Sequence, residues 1–322
     1  MALRMRPTLL GCALTVCLAA CDGGAGRGVL AESGPLSQAD RALTLNDVPR
    51  ARTILEGLLV QDPDAFAPRY RLGALGVDDA PRDAIANLEA AAALEPAHPG
   101  PPGFTALARY RLSDFQGAER ALRMAWDLAR TRAGLSLPDT SEALRRGIEE
   151  LHGERFVAAV DAFAEVLAAD SSQAAVWVLS GRALRRGGAL DRAERAAARA
   201  LDLSPDLPAA RVLRASVWTA QGKLAEARAE LEALIEGHPD LAEAHYELGL
   251  AHRKNNDYRA AALAFWRAAL ADPTETEHHQ ALGQILLRMG APEAGTNALQ
   301  HAEWVRGFFD RRFGRGSFRR PR

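Results

Sequence analysis

The chain has 322 residues, of which 25% are charged, and a formal net charge of −1. All three cysteines lie at or before position 21, which excludes a disulfide or a thiol-based site from the rest of the chain. No run alternates apolar and polar residues in the manner of a β-strand, so this alanine- and leucine-rich composition favours an all-α fold.

The first 21 residues have the organisation of a secretory signal. Arg4 and Arg6 precede an apolar stretch, Pro7 to Ala20, that is too short to span a bilayer comfortably. The Leu-Ala-Ala-Cys sequence that ends at Cys21 resembles the bacterial lipoprotein signal. This resemblance implies that Cys21 becomes the lipidated first residue of the mature chain. An ordinary cleaved signal that happens to contain a cysteine is the alternative.

The localisation expected from this signal is the bacterial cell envelope. A lipid anchor at Cys21 would attach the protein to a membrane, facing the periplasm or the exterior, with the inner and the outer membrane both open. The glycine-rich residues 22–31 predict a flexible tether between the lipid and the folded part of the chain.

Residues 32–130 predict about three irregular helical pairs. In the second of these pairs, Gly73 and Ala84 flank an internal turn that is one residue short. A cluster of prolines lies where the first helix of the third pair should begin: Pro99, Pro101 and Pro102. That helix is therefore expected to be poorly defined. Residues 131–139 then break the phase and predict a joint that bends or divides the array.

From residue 140 to 309 the chain repeats with a period of 34 residues. Small residues keep this spacing at five positions: Gly147, Gly181, Ala215, Gly249 and Gly283. Two further sets keep it as well, one of alanines and one of prolines: Ala159, Ala193, Ala227 and Ala261, and Pro205, Pro239 and Pro273. A fixed period of this length is typical of a solenoid of stacked helical pairs, in which small residues let antiparallel helices approach closely.

These residues resemble the tetratricopeptide repeat. The unit 174–207 carries the family's pattern at Trp177, Gly181, Ala193 and Pro205. The last unit, 276–309, is the weakest, because it has Gly295 where the others carry alanine. The resemblance implies an all-α, right-handed superhelical solenoid of antiparallel helix pairs.

The resemblance also implies where a partner would bind. In this family the first helix of each pair lines the concave surface. The matching positions here form a predicted partner-binding groove: Arg182, Arg185, Arg186, Tyr246, Arg253, Lys254 and Arg288. Because arginine and lysine predominate, the groove is expected to be basic and to suit an acidic or C-terminal peptide. A solvated helix face is the alternative that these residues leave open.

Residues 306–322 form a predicted basic tail. Seven arginines and one aspartate give this segment a charge of +6, so the remainder of the chain carries about −7. Arginines interspersed with phenylalanines are suited to anionic lipid, whereas an exported protein is not expected to meet nucleic acid. The alternative is a disordered end in which Phe308 and Phe309 cap the last helical pair.

The sequence carries none of the common metal-binding or catalytic patterns. Paired cysteines at metal spacing, a zinc-binding histidine helix and a Gly-x-Ser-x-Gly turn are all missing from the sequence. His245 and His252 share a helix face without a further ligand, so they are predicted to be core or groove histidines.

The function that the sequence predicts is a non-enzymatic scaffold without a cofactor. It would bind a protein or peptide partner in the assembly of a membrane or secretion complex. The alternative is an accessory or chaperone-like adaptor of a periplasmic enzyme system, such as cytochrome maturation or cell-wall synthesis.

Overall fold

The structure is a computed structural model that describes residues 34–44, 47–132 and 141–313. Cys21, the predicted tether at 22–31, residues 133–139 of the predicted joint and residues 314–322 lie outside the described residues. Within them the chain forms sixteen helices and no strand. The helices are α1 (Pro35–Thr44), α2 (Val48–Gln61), α3 (Phe66–Leu75), α4 (Pro81–Leu94), α5 (Gly100–Arg111), α6 (Phe115–Arg132), α7 (Glu142–His152), α8 (Phe156–Ala169), α9 (Ala174–Arg186), α10 (Leu190–Leu203), α11 (Pro208–Gln221), α12 (Leu224–Gly237), α13 (Ala242–Lys254), α14 (Tyr258–Ala271), α15 (Thr276–Arg288) and α16 (Pro292–Phe313).

The helices form an all-α solenoid of antiparallel pairs, eight in the described part of the chain. Each helix packs against the next within two series, α1–α6 and α7–α16, which are called the first and the second stack below. The first helices of neighbouring pairs also contact each other: α9 contacts α11, and α11 contacts α13. The first helices of the pairs are together called the inner layer below.

In the second stack the first helices begin at a regular interval. α9, α11, α13 and α15 start 34 residues apart, at Ala174, Pro208, Ala242 and Thr276. Pro208 suits the first turn of α11 because the backbone N–H that it lacks would have no acceptor there. α11 ends at Gly222, whose φ of 87° is the left-handed conformation that glycine adopts without strain.

The small residues of the 34-residue spacing mark the closest contacts between helices. A Cβ added at Gly147 would lie 2.6 Å from a ring carbon of Phe163, and one at Gly249 would lie 2.5 Å from Phe265. At Gly181 the nearest neighbour is instead Leu213 of the next pair, 2.4 Å away. The second helix of each pair, or the first helix of the next one, thus fills the space that the glycine leaves.

The expectation of a poorly defined first helix in the third pair is wrong. α5 runs from Gly100 to Arg111, with Pro101 and Pro102 in its first turn. Proline is tolerated there because the first N–H groups of a helix have no intrahelical acceptor. Residues 100–108 are all buried, so α5 is covered on every side.

The first stack packs against the far end of the second. Helix α1 contacts α14, and the buried hydroxyl of Tyr70 donates a hydrogen bond to the carbonyl of Leu270. The Asp40 carboxylate, only 3% exposed, accepts hydrogen bonds from Arg71 of its own stack at 3.1 Å and from Arg267 at 2.7 Å. These contacts join the two ends of the solenoid, and they are called the closure below.

Helix α16 completes the closure. It has 22 residues where the second helices α8, α10, α12 and α14 have 14 each. Residues 306–313 of the predicted tail are therefore helical. Phe308 and Phe309 are buried in one cluster with Phe104, Leu107 and Leu122 of the first stack. They cover the first stack as well as ending the last pair.

The described residues contain no candidate membrane-spanning helix. None of the helices there combines sufficient length with sufficient apolar character to cross a bilayer.

Candidate partner-binding cavity

The inner layer of the second stack lines a partly open cavity of about 600 Å³, which is called the central cavity below. One wall comes from α9, α11, α13 and α15. The opposite wall comes from α6 and α16, which contribute Trp126, Arg306, Phe309 and Asp310. The closure therefore covers part of the concave surface with helices of the same chain.

The structure divides the predicted groove residues into two groups. Arg182, Arg185, Arg186 and Tyr246 line the central cavity, whereas Arg253, Lys254 and Arg288 do not. Arg185 and Arg253 occupy equivalent positions of their units, yet only Arg185 reaches the cavity. The position within the repeat does not decide by itself which side chains line the cavity.

The residues outside the cavity have other contacts. Lys254 donates hydrogen bonds to the carbonyls of Thr219 and Ala220, at 2.7 and 2.8 Å, near the end of α11. Arg288 lies over the ring of Tyr258, 5.1 Å from its centre, and Arg253 is exposed. Lys254 and Arg288 thus connect neighbouring helices on the outside of the cavity.

The arginines that line the cavity are paired with carboxylates. Arg182 is 7% exposed, and its Nη2 lies 2.7 and 2.8 Å from the two carboxylate oxygens of Glu243. Arg185 lies 3.5 Å from Glu247. Both pairs link α9 to α13 across the intervening α11. They neutralise charge that a ligand would otherwise meet.

The expectation of a basic groove is wrong. Among the described residues that line the cavity, the carboxylates outnumber the arginines by five to four. The arginines are Arg182, Arg185, Arg186 and Arg306, and the carboxylates are Glu243, Glu247, Glu275, Glu277 and Asp310. Two of these carboxylates, Glu275 in the turn before α15 and Asp310 of α16, lie where the repeat pattern does not place groove residues.

Sequence reasoning missed a hydrogen bond that recurs at the fourth residue of the first helix. Nε1 of Trp177 donates to the carbonyl of Ser171, six residues earlier, at 3.0 Å. His245 and His279 contact the carbonyls of Pro239 and Pro273 in the same way, at 2.8 and 2.9 Å. Because a carbonyl only accepts, Nε2 of each histidine carries the proton. The 34-residue distance between the two histidines is the signal that could have revealed this bond.

These histidines are structural rather than chemical groups. Burial lowers the pKa of His245 to about 4 and that of His279 to about 3, so both rings are neutral at pH 7. His245 and His252 are buried, as predicted. Within 34–44, 47–132 and 141–313, no three histidine, cysteine or acidic side chains are placed to hold a metal ion.

The fold is that of a helical-repeat solenoid, a class of protein whose concave inner surface typically binds other proteins. The family model of the tetratricopeptide repeat matches residues 144–208 and 213–276. Both matched ranges lie in the second stack, which is there similar to tetratricopeptide repeats.

The individual proteins that resemble this chain match only part of it. The human Superkiller complex protein 3 is 34% identical over 110 residues, which are 33% of this chain and 7% of that protein. The chain thus spans a small fraction of the length of this relative, and that protein's role is not transferred from the match.

Solved structures of MamA resemble about half of the chain. "MamA RS-1 ArsTM double mutant" is 22% identical with a TM-score of 0.38, over 54% of this chain and 99% of that chain. "MamA 41-end from Desulfovibrio magneticus RS-1" is 23% identical with a TM-score of 0.37, over 52% and 97%. At these TM-scores the likeness carries no inference about function.

Proposed function

We propose that the protein is a non-enzymatic scaffold of the bacterial cell envelope that binds a segment of a protein partner in the central cavity. Its role would be the assembly of a membrane or secretion complex. The observation that carries the proposal is the cavity itself, about 600 Å³ on the inner layer of the repeats. Cavities of this size usually bind compact ligands or a few residues of a peptide.

The lining of the cavity favours a partner segment of mixed character. Trp126 and Tyr246 line the cavity, are only partly buried and offer aromatic surface. Arg182 and Arg185 already pair with Glu243 and Glu247, so an acidic ligand would have to displace these carboxylates. We therefore expect an aromatic or apolar anchor flanked by charges of both signs, rather than a purely acidic peptide.

The binding proposal is tested by filling the cavity. Gln280 lines it and is only partly exposed, so Gln280→Trp places a large side chain there without removing an ion pair. Gln116→Trp is the matched control, because Gln116 is exposed on α6 away from the cavity. Crosslinking in cells, followed by identification of co-purified proteins, should lose a specific partner in the first variant and keep it in the control.

The choice of position 280 avoids a structural artefact. Arg182→Glu would bring a second carboxylate against Glu243 in a buried place, which would destabilise the fold whatever the partner does. Equal capture of every partner by the Gln280→Trp and Gln116→Trp variants, both with unchanged helical melts, would defeat the binding proposal.

The envelope proposal has its own test. Labelling of the cells with radioactive palmitate should mark the protein, and Cys21→Ser should abolish the label. Label that survives the Cys21→Ser substitution, or no label at all, would show that Cys21 is not a lipid anchor. The cavity proposal does not depend on this outcome.

A further inference from the structure

We propose that residues 314–322, the segment that follows α16, occupy the central cavity of their own chain and compete there with the partner. This inference rests on the proposed function, because it assigns a competitor to the same cavity. Reach, charge and aromatic character support it.

The position of α16 places the start of the segment at the cavity wall. Arg306, Phe309 and Asp310 line the cavity, and the helix continues to Phe313. Residue 314 follows Asp310 by four positions, or about 6 Å along a helix axis. Nine residues span at most about 30 Å when extended. The segment therefore starts beside the cavity with enough chain to reach its far side.

The charge of the segment complements that of the cavity. Residues 314–322 contain four arginines and no acidic residue. The cavity lining has five carboxylates and four arginines. Three of these arginines already pair with glutamates: Arg182 with Glu243, Arg185 with Glu247, and Arg186 with Glu154, which lies outside the lining. Arginine forms strong, often bidentate hydrogen bonds with carboxylates. An arginine-rich segment thus suits this lining better than an acidic one.

The segment also carries one large apolar side chain, Phe318. The cavity offers it the aromatic surfaces of Trp126 and Tyr246, which are only partly buried. Aromatic pairs are stabilised beyond the area that they bury. Because the cavity measures about 600 Å³, it would take Phe318 with its neighbouring arginines rather than the whole segment.

The covalent connection makes this competitor effective. A segment tethered beside its site has an effective concentration on the order of millimolar. A partner that binds the cavity would therefore have to displace the segment, and its apparent affinity would be reduced accordingly.

The test uses the full chain with its tail altered by Phe318→Ala, Arg319→Glu and Arg320→Glu. The probe is a fluorescein-labelled synthetic peptide with the sequence of residues 314–322, and fluorescence anisotropy measures its binding. The altered chain should bind the probe at least about tenfold more tightly than the native chain, because the native tail competes with it. A control with Arg192→Glu and Arg195→Glu, two exposed residues of α10, should behave like the native chain.

The site is tested in the altered chain. Glu275→Gln with Glu277→Gln should weaken probe binding at least about tenfold if the carboxylates of the cavity hold the arginines. Glu142→Gln with Glu149→Gln, two exposed positions on α7 outside the cavity, is the matched control.

Three results would overturn the inference: equal probe binding by native and altered chains, no effect of the cavity substitutions, or a concentration-dependent dimer that only the native tail supports. The last result would mean that the tail occupies the cavity of a second copy.

The outcomes also distinguish the tail inference from the scaffold proposal. If probe binding behaves as expected but Gln280→Trp leaves partner capture unchanged, tail binding stands and the scaffold proposal fails. If Gln280→Trp blocks capture but both chains bind the probe equally, the scaffold stands and the tail inference fails.

Discussion

At the scale of single residues, the glycines of the 34-residue spacing set the distance between helices. Their neighbours differ along the chain: Phe163 packs over Gly147 and Phe265 over Gly249, whereas Leu213 approaches Gly181 from the next pair. The small Ala197 stands where the pairs α7–α8 and α13–α14 have Phe163 and Phe265, so Leu213 of the following helix fills the gap. A regular glycine spacing thus accommodates different cores.

The close contacts at the repeat glycines predict opposite changes in the free energy of unfolding for two glycine-to-alanine substitutions. A Cβ at Gly249 would lie 2.5 Å from the fully buried ring of Phe265, so Gly249→Ala should lower the free energy of unfolding by about 1–3 kcal/mol. Gly57 lies in α2 with no neighbour within 4 Å of the added Cβ, so Gly57→Ala should raise it by up to about 1 kcal/mol. Urea denaturation measures both, and a neutral Gly249→Ala would contradict the close contact.

At the scale of helices, a hydrogen bond from the fourth residue ties α9, α13 and α15 to the turn before each of them. His245 and His279 make this bond in α13 and α15 and are neutral in the folded state. In the unfolded chain a histidine has a pKa near its ordinary value of about 6.5. The unfolded state therefore binds more protons than the folded state below that pH.

The free energy of unfolding should consequently fall as the pH drops. The contribution of each histidine is complete above about pH 6.5 and is lost towards its folded pKa, by up to about 1.4 kcal/mol per pH unit. His245→Gln and His279→Gln keep a donor for the proline carbonyl but do not titrate. The urea midpoint of this double variant should change less between pH 7 and pH 5 than that of the native chain.

An exposed histidine provides the control for this measurement. His238 lies exposed after α12, so His238→Gln should leave the pH dependence of the urea midpoint as it is in the native chain. An equal pH dependence in the native chain and the double variant would show that these two buried rings do not govern the acid response.

At the scale of the whole molecule, the closure joins the first stack to the far end of the second. The Asp40 carboxylate contacts Arg71 and Arg267, and Phe104 lies 6.2 Å from the ring of Trp266. A Cβ at Gly103 would lie 2.2 Å from Pro273, so α5 directly contacts the turn between α14 and α15. These contacts bring α6 and α16 against the inner layer, so that helices of the same chain cover part of the central cavity.

The closure predicts a large cost for removing one buried charge. Asp40→Asn leaves two arginines beside a neutral side chain and should lower the free energy of unfolding by about 3 kcal/mol. Small-angle X-ray scattering should also show a larger radius of gyration, with unchanged helical circular dichroism. Asp64→Asn, at an exposed position, should change neither quantity. Similar behaviour of the two variants would mean that Asp40 does not hold the ends together.

The candidate site was only partly predictable from the sequence. The repeat pattern placed Arg182, Arg185 and Tyr246 on the inner layer, and the structure brings them to one cavity. It could not indicate that Glu243 pairs with Arg182, because these residues lie 61 positions apart and belong to different units. The charge of the cavity depends on such pairs. A prediction from one helix face alone therefore gave the wrong sign.

The sequence by itself determined the local architecture of this protein. Each helical pair packs within one 34-residue unit or against the next, so the spacing of small residues was sufficient to predict the all-α solenoid. Only the tertiary structure decided the closure and the cavity. The contacts that form them, such as Asp40 with Arg267 and Tyr70 with Leu270, join residues 227 and 200 positions apart. No periodic pattern encodes a contact between two ends that meet only once in the fold.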